Sequence, residues 1–444
     1  MRNAMFFTDR HKTGRQMPVT VYALGFAIFA QGTSELMLAG LLPSIAGSLH
    51  VSIPHAGLLI SAFAIGMLVG APVLAVAARH WPRRRALLGF LAVFALAHVA
   101  GALASGYTVL LATRIAGAFV YAGFWAVGAA TAVDLVPAQA RGRAMGIVAG
   151  GLTLATVVGL PGGTLIGQHL GWRTAFWAVA TLTVLAAAGV LATIPADHQA
   201  AAGSASLAPS ALRAELRALA SRQLWSAYAT TAVATAALIV TFSYLSPLLT
   251  RTTGLPARWI PAILGLYGAG ALAGILAGGR TADRHPIPTL RAGTAGLAAV
   301  SAALALAARH PAAAVILVAA LGLAGFVTNP TLNSRPFNLV RAAPTLVAAL
   351  NVSAFNAGIT LGPWLGGLAL SHRLGYTAPA WTGATLAAAV AAAAITSRRL
   401  PNHNATEPTD GSRGPLADKT ALASAGPSRS ASSRTRSDGP NRAA

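Results

Sequence analysis

Glu35 stands inside "FAQGTSELMLAGLLP" (29–43), a stretch otherwise built from apolar and small residues. It is the one acidic residue well within an apolar segment, since Asp134 and Asp283 fall at segment ends. Gln31 precedes it by one helical turn and shares its face. A second charge, Arg114, lies within "LLATRIAGAFVYAGFWAV" (110–127), with Tyr121 and Trp125 on its helical face at i+7 and i+11. An ionised side chain in hydrocarbon costs a few kcal/mol or more, so an intramembrane charge points to a function by default. Glu35 and Arg114 sit about seven positions from the same end of their segments, which puts a carboxylate and a guanidinium at similar depth. Such a pair can bind and release a proton and compete for each other. His98, in a third segment, has a side chain that titrates near neutrality, although a packed, neutral histidine is the commoner case.

The elements that must hold these groups are long apolar helices. Of 444 residues, 55% are hydrophobic and 9% charged, far below the roughly 25% charged usage of soluble domains. The apolar residues come in blocks of roughly 20, the length that crosses about 30 Å of hydrocarbon. Twelve spans are expected, with ends good to about four residues: 19–42, 56–78, 86–105, 107–131, 144–167, 174–194, 225–249, 259–279, 290–308, 312–333, 345–370 and 377–396. The fold class is an all-α polytopic membrane protein. Residues 1–17 form a polar, cytoplasmic N-terminal segment without a signal peptide, whose first 16 residues are expected to be dispensable or an over-extended start, 195–224 a cytoplasmic Ala/Ser/Pro/Arg linker, and 397–444 a basic, disordered tail.

The net charge of +22 would suit nucleic acid, but the arginines sit in short loops and the tail, so no nucleic-acid partner is expected. With both termini placed inside the cell, 26 Lys and Arg fall on the inner side, five on the outer, and Arg114 within a span. That asymmetry predicts cytoplasmic termini. Cysteine is absent, which removes disulfides and thiolate metal sites. There is no G-x-S-x-G, H-E-x-x-H or phosphate loop ending in Lys, so the chain reads as neither an enzyme nor an ATP-driven pump, and neither a cofactor nor a metal is expected.

The two halves align at one gap-free offset of 204 residues: Pro43 with Pro247, Gly66 with Gly270, Gly70 with Gly274, Gly162 and Gly163 with Gly366 and Gly367, Gly171 with Gly375, Trp177 with Trp381. Six spans per half means that both halves enter the membrane in the same sense, a parallel repeat. The fifth span ends "VVGLPGGTLIGQHLGWR" and the eleventh holds "GITLGPWLGG". Glycines at helical spacing admit close backbone approach, and proline bends the helix.

These features resemble the major facilitator superfamily. "GITLGPWLGG" (Gly358, Gly362, Pro363, Gly366, Gly367) matches its antiporter motif, and Gly159, Pro161, Gly162 and Gly163 form a looser copy. "AARHWPRRRALL" and "GGRTADRHPIPTL" each keep part of its inner-loop signature, through Arg83 and Arg84 in one and Gly279 and Asp283 in the other, while Arg79 stands where the first copy should hold an acid. Arg114 with Gly117 is similar to its fourth-span motif. "FAQGTSELMLAGLLP", "HWPRRRALL", "VGLPGG" and "GWRTAFW" look most like the twelve-helix drug:proton antiporters, and within them the bacterial chloramphenicol-efflux proteins, over roughly 18–396.

The resemblance implies two six-helix bundles (18–194 and 225–396) related by a pseudo-two-fold axis, in a bacterial inner membrane and usually monomeric. It also implies proton-driven export of a small drug by alternating access, with Glu35 and Arg114 coupling the proton. Gln31, Tyr121, Trp125, Phe242, Tyr244, Asn329, Asn351 and Asn356 are the expected substrate-cavity residues. An exporter of a sugar or other metabolite, or a non-transporting membrane receptor or scaffold, are the alternatives.

Overall fold

The computed structural model describes residues 17–78, 81–194, 221–282, 284–339 and 344–396. The N-terminal segment (but for Met17), most of the linker, the tail, Arg79 and Asp283 lie outside these residues. The described chain is helical, in twelve spans: α1 (Val19–Ser48), α2 (Ile53–Ala77), α3 (Arg83–Ala102), α4 (Tyr107–Asp134), α5 (Arg141–Leu170), α6 (Trp172–Thr193), α7 (Arg222–Arg251), α8 (Ala257–Ala282), α9 (Pro286–Leu306), α10 (Pro311–Leu339), α11 (Pro344–Ser371) and α12 (Ala378–Thr396). Among the described residues, 10 helices, α1 to α10, are long and apolar enough to cross a membrane. Helix starts follow local chemistry. Ser52 caps α2 by accepting from the His55 N–H, and Ser221 caps α7 by accepting from that of Leu224. Pro286 and Pro311 open α9 and α10, where the missing N–H is no loss.

Packing repeats as the sequence does. In the first half α1 lies on α5 and α6, α2 on α4, and α3 on α4 and α6; in the second, α7 lies on α11 and α12, α8 on α10, and α9 on α10 and α12. The halves meet through α2 against α11 and α5 against α8, one contact being the other with the halves exchanged. The offset of 204 holds at single residues. A side chain at Gly66 would strike the Ile115 carbonyl, and one at Gly270 the Ala319 carbonyl; Gly70 faces the Phe119 backbone and Gly274 that of Leu323. Gly171 and Gly375 start α6 and the turn before α12 with φ of 87° and 81°, a left-handed conformation that favours glycine. This is the two-bundle fold with a parallel repeat.

Four helices depart from expectation. α1 runs through Pro43 to Ser48, and α10 runs through Pro336 to Leu339, each past the predicted end. A proline inside a packed membrane span is tolerated because neighbours re-satisfy the freed backbone. Pro247 acts differently from Pro43, since α7 breaks at Tyr244 before a last short helix, Leu245–Arg251. In α5 the turn Ala155–Gly159 is a π-helix. Pro161 follows at once, with no N–H to give and a ring that crowds the carbonyl four residues back, and the widened turn takes up that misfit.

Candidate functional site

The Arg114 guanidinium is 2% exposed in the first bundle. Its Nη1 donates to Ser34 Oγ at 2.6 Å, and its Cζ lies 4.2 Å from the centroid of the Phe63 ring on α2, a cation–π contact. Ser34 Oγ is also 2.5 Å from His98 Nε2, and His98 Nδ1 is 2.8 Å from the Phe94 carbonyl. A carbonyl can only accept, so Nδ1 carries a proton; when the ring is neutral, Nε2 accepts from Ser34. A directed chain results: Arg114 donates to Ser34, Ser34 to His98, and His98 to its own helix. Phe94 and Phe176 flank the imidazole with ring centroids 4.3 and 5.6 Å away. Tyr121 is buried and packs on Phe63 at 6.1 Å and on Phe94 at 6.2 Å.

Glu35, the next residue after Ser34, is partly exposed. Among the described residues it makes no ion pair or side-chain hydrogen bond; the guanidinium is taken by Ser34 instead. The site is under-satisfied. Arg114 Nε and Nη2, and both amide atoms of the fully buried Gln31, lack hydrogen-bond partners. A buried polar group without a partner costs about 1–3 kcal/mol, and such costs collect at functional sites.

The other expected residues are spread over both halves. Trp125 is partly exposed, further along α4. Phe242 stacks on Tyr267 with centroids 4.6 Å apart, and Phe326 meets Tyr267 edge-on at 6.3 Å. Tyr244 is buried where the halves meet, its hydroxyl donating to the Pro363 carbonyl at 2.7 Å and lying against Gly57 of α2. Asn329 accepts from Asn333, whose Oδ1 takes the Asn351 amide at 3.3 Å. Asn356 is buried and bonds back to Val352 O within α11. Sequence reasoning passed over Ser34, Phe63, Tyr267, Phe326 and Asn333. One signal was available: Tyr267 is the repeat mate of Phe63 at the offset of 204.

The glycine motifs are packing surfaces. Side chains at Gly159 and Gly163 would meet Thr33 and Met37 of α1, and at Gly358 and Gly362 the backbone of α7; Gly366 and Gly367 close on Tyr244, whereas Gly162 faces open space. Pro161 lies against Gly265 of α8, and Pro54 of α2 against Gly367. Ser61 Oγ donates to the Thr360 carbonyl across the halves at 2.7 Å. These contacts lie towards the face bearing the loops after odd-numbered helices, where a cavity of about 560 Å³ is lined by Arg251, Arg373 and Tyr376 among others. On the opposite face, Arg83 at the start of α3 pairs with Asp134 at the end of α4, and Arg84 donates to the Leu191 carbonyl at the end of α6 at 3.0 Å. Arg291 serves the second half similarly, donating to Ala394 O. Gly279 has nothing close to it.

Two repeated six-helix bundles, tied by exchangeable contacts and holding buried charge in one of them, define a membrane transporter of the two-bundle class. The chain belongs to the Major Facilitator Superfamily, whose family model matches residues 24–353. A "Chloramphenicol resistance protein" of Streptomyces lividans is 43% identical over 372 residues, 84% of this chain and 94% of that protein. The "Inner membrane transport protein YdhP" of Escherichia coli (strain K12) is 35% identical over 365 residues, 82% of this chain and 92% of that one. Two solved structures share the fold. A bacterial homologue of the human lysosomal transporter Spinster, inward-facing and occupied, has a TM-score of 0.68 at 17% identity over 85% of this chain and 96% of its own. The nucleoside transporter NupG has a TM-score of 0.68 at 13% identity over 85% and 98%.

Proposed function

We propose that the protein is a proton-coupled antiporter that exports a small, neutral, amphipathic drug, with chloramphenicol as the first candidate, from the bacterial cytoplasm across the inner membrane. The observation that carries this reading is the identity of 43% with a chloramphenicol resistance protein across nearly all of that relative's length. The site adds support. Buried aromatic rings at Phe63, Phe94, Tyr121, Phe242 and Tyr267 suit a flat apolar body, while Gln31 and two guanidinium nitrogens hold unused hydrogen-bonding capacity for its polar groups. Glu35 is the acidic residue within a span, so it is the group to load a proton from outside and release it inside, in competition with drug.

The bundles 18–194 and 225–396 are the two rocking bodies of this reading, with both termini in the cytoplasm and a monomer as the working unit. The test is a susceptibility panel in an efflux-deficient host. The wild-type chain should raise chloramphenicol tolerance, and Glu35→Gln should return it to the host's own level. Wild-type tolerance no higher than that of the empty host would reject the drug assignment.

A further inference from the structure

We propose that His98 is a positioning residue for the Glu35 and Arg114 pair: acting through Ser34, it parks the guanidinium off Glu35. The functional readout rests on the transport reading above; the geometry does not. Ser34 has one hydroxyl hydrogen. With His98 Nδ1–H committed to the Phe94 carbonyl, the neutral ring offers a lone pair at Nε2 and takes that hydrogen, which turns the Ser34 oxygen towards Arg114 Nη1. Without His98 the hydroxyl can turn back to its own helix, as the neighbouring Thr33 does to Phe29 O at 2.8 Å.

The arrangement holds Arg114 between Ser34 and the Phe63 ring with Nε and Nη2 unpartnered, while Glu35 stands one residue away without an ion pair. A guanidinium with unused donors, held by the residue next to an unpaired carboxylate, is a poised state. The charged group that faces His98 is Arg114 of α4, joined to it through Ser34 of α1; its own helix presents the Phe94 ring and α6 the Phe176 ring, neither of which carries charge. The arrangement occurs once. At the offset of 204 the second half has Ala302 for His98, Leu238 for Ser34, Val318 for Arg114 and Ile239 for Glu35.

The test uses the full chain in proteoliposomes, comparing wild type, His98→Leu, His98→Gln and Ser34→Ala for chloramphenicol-driven proton exchange against pH. In His98→Leu and Ser34→Ala the released guanidinium meets Glu35, and a proton must displace it. Half-maximal exchange should move about one pH unit towards acid, the effect of an opposite charge a few Å away. His98→Gln keeps both an acceptor and a donor and should restore the wild-type profile. An unmoved profile in His98→Leu overturns the proposal. A second measurement needs no transport: among the 11 histidines, the ¹⁵N signals lost in His98→Gln should report a ring protonated at Nδ1 and bare at Nε2 at about pH 8, above the range where a free histidine titrates. Signals showing Nε2–H there also overturn it. If wild type moves no chloramphenicol, the drug assignment fails while the nitrogen signals still decide the role of His98.

Discussion

Arg114 carries more donors than its surroundings accept, and this sets up a trade between stability and transport. Replacing it with Met keeps the length and fills the site while removing a buried charge with two orphaned nitrogens. Substituting apolar residues for buried charge is often neutral or stabilising by about 1–4 kcal/mol. Arg114→Met should therefore raise the thermal unfolding midpoint in detergent yet abolish drug efflux; a variant that is both less stable and inactive would show that the guanidinium is structural. Glu35, Arg114 and His98 were legible in the sequence because a titratable group in an apolar run is conspicuous. Ser34, which joins two of them, was not. A hydroxyl in a membrane helix costs little and is common there, so nothing in one dimension marks it as the bridge.

At the scale of helices, close glycine contacts set the spacing. Gly66 and Gly270 each face a backbone carbonyl, on Ile115 and Ala319, and neither carbonyl can move aside without its helix. Gly66→Val and Gly270→Val should each cost about 1–3 kcal/mol, the usual penalty of overpacking. Sitting in different halves with no shared partner, the two losses should add in the double variant within about 0.5 kcal/mol. Gly162→Ala, facing open space, is the control and should be near neutral; chemical unfolding of these variants decides this. The Arg83 and Asp134 pair makes a smaller prediction, because Asp134 is about a third exposed. Arg83→Ala should cost about 1 kcal/mol, and the charge-reversed double variant Arg83→Asp with Asp134→Arg should recover most of it.

The repeat was readable from glycines and prolines whose roles are hard to replace. The π turn before Pro161 was not, because the sequence shows that a helix must yield near a proline without showing whether it bends, breaks or widens. Pro43, Pro247 and Pro161 give three answers, in α1, α7 and α5. For Arg83 the inner-loop signature offers no acid close by, because Arg79 stands where one is usual. The acid that meets it comes instead from the far end of α4, a pairing that only the packing of α3 on α4 could reveal.

For the whole molecule, the chain's lack of cysteine makes cross-linking clean. A Cβ at Gly367 would lie 3.6 Å from Pro54 Cβ, within the range that a disulfide spans. Pro54→Cys with Gly367→Cys should form a disulfide under mild oxidation and hold α2 against α11. Transport should stop on oxidation and return with reductant; transport that continued with the bridge fully formed would mean that these ends do not part during the cycle.

The exchange symmetry of the two seams has a further consequence. Because α2 on α11 and α8 on α5 are one contact with the halves swapped about an axis along the membrane normal, the exchange carries each face of the membrane onto itself, and the seams do not tell one half from the other. What tells them apart sits in one half only, at Glu35, Arg114, Ser34 and His98, opposite Ile239, Val318, Leu238 and Ala302. A proton gained or lost there acts on one bundle and not on its mate, and every 1.4 kcal/mol of that one-sided contribution shifts a population tenfold.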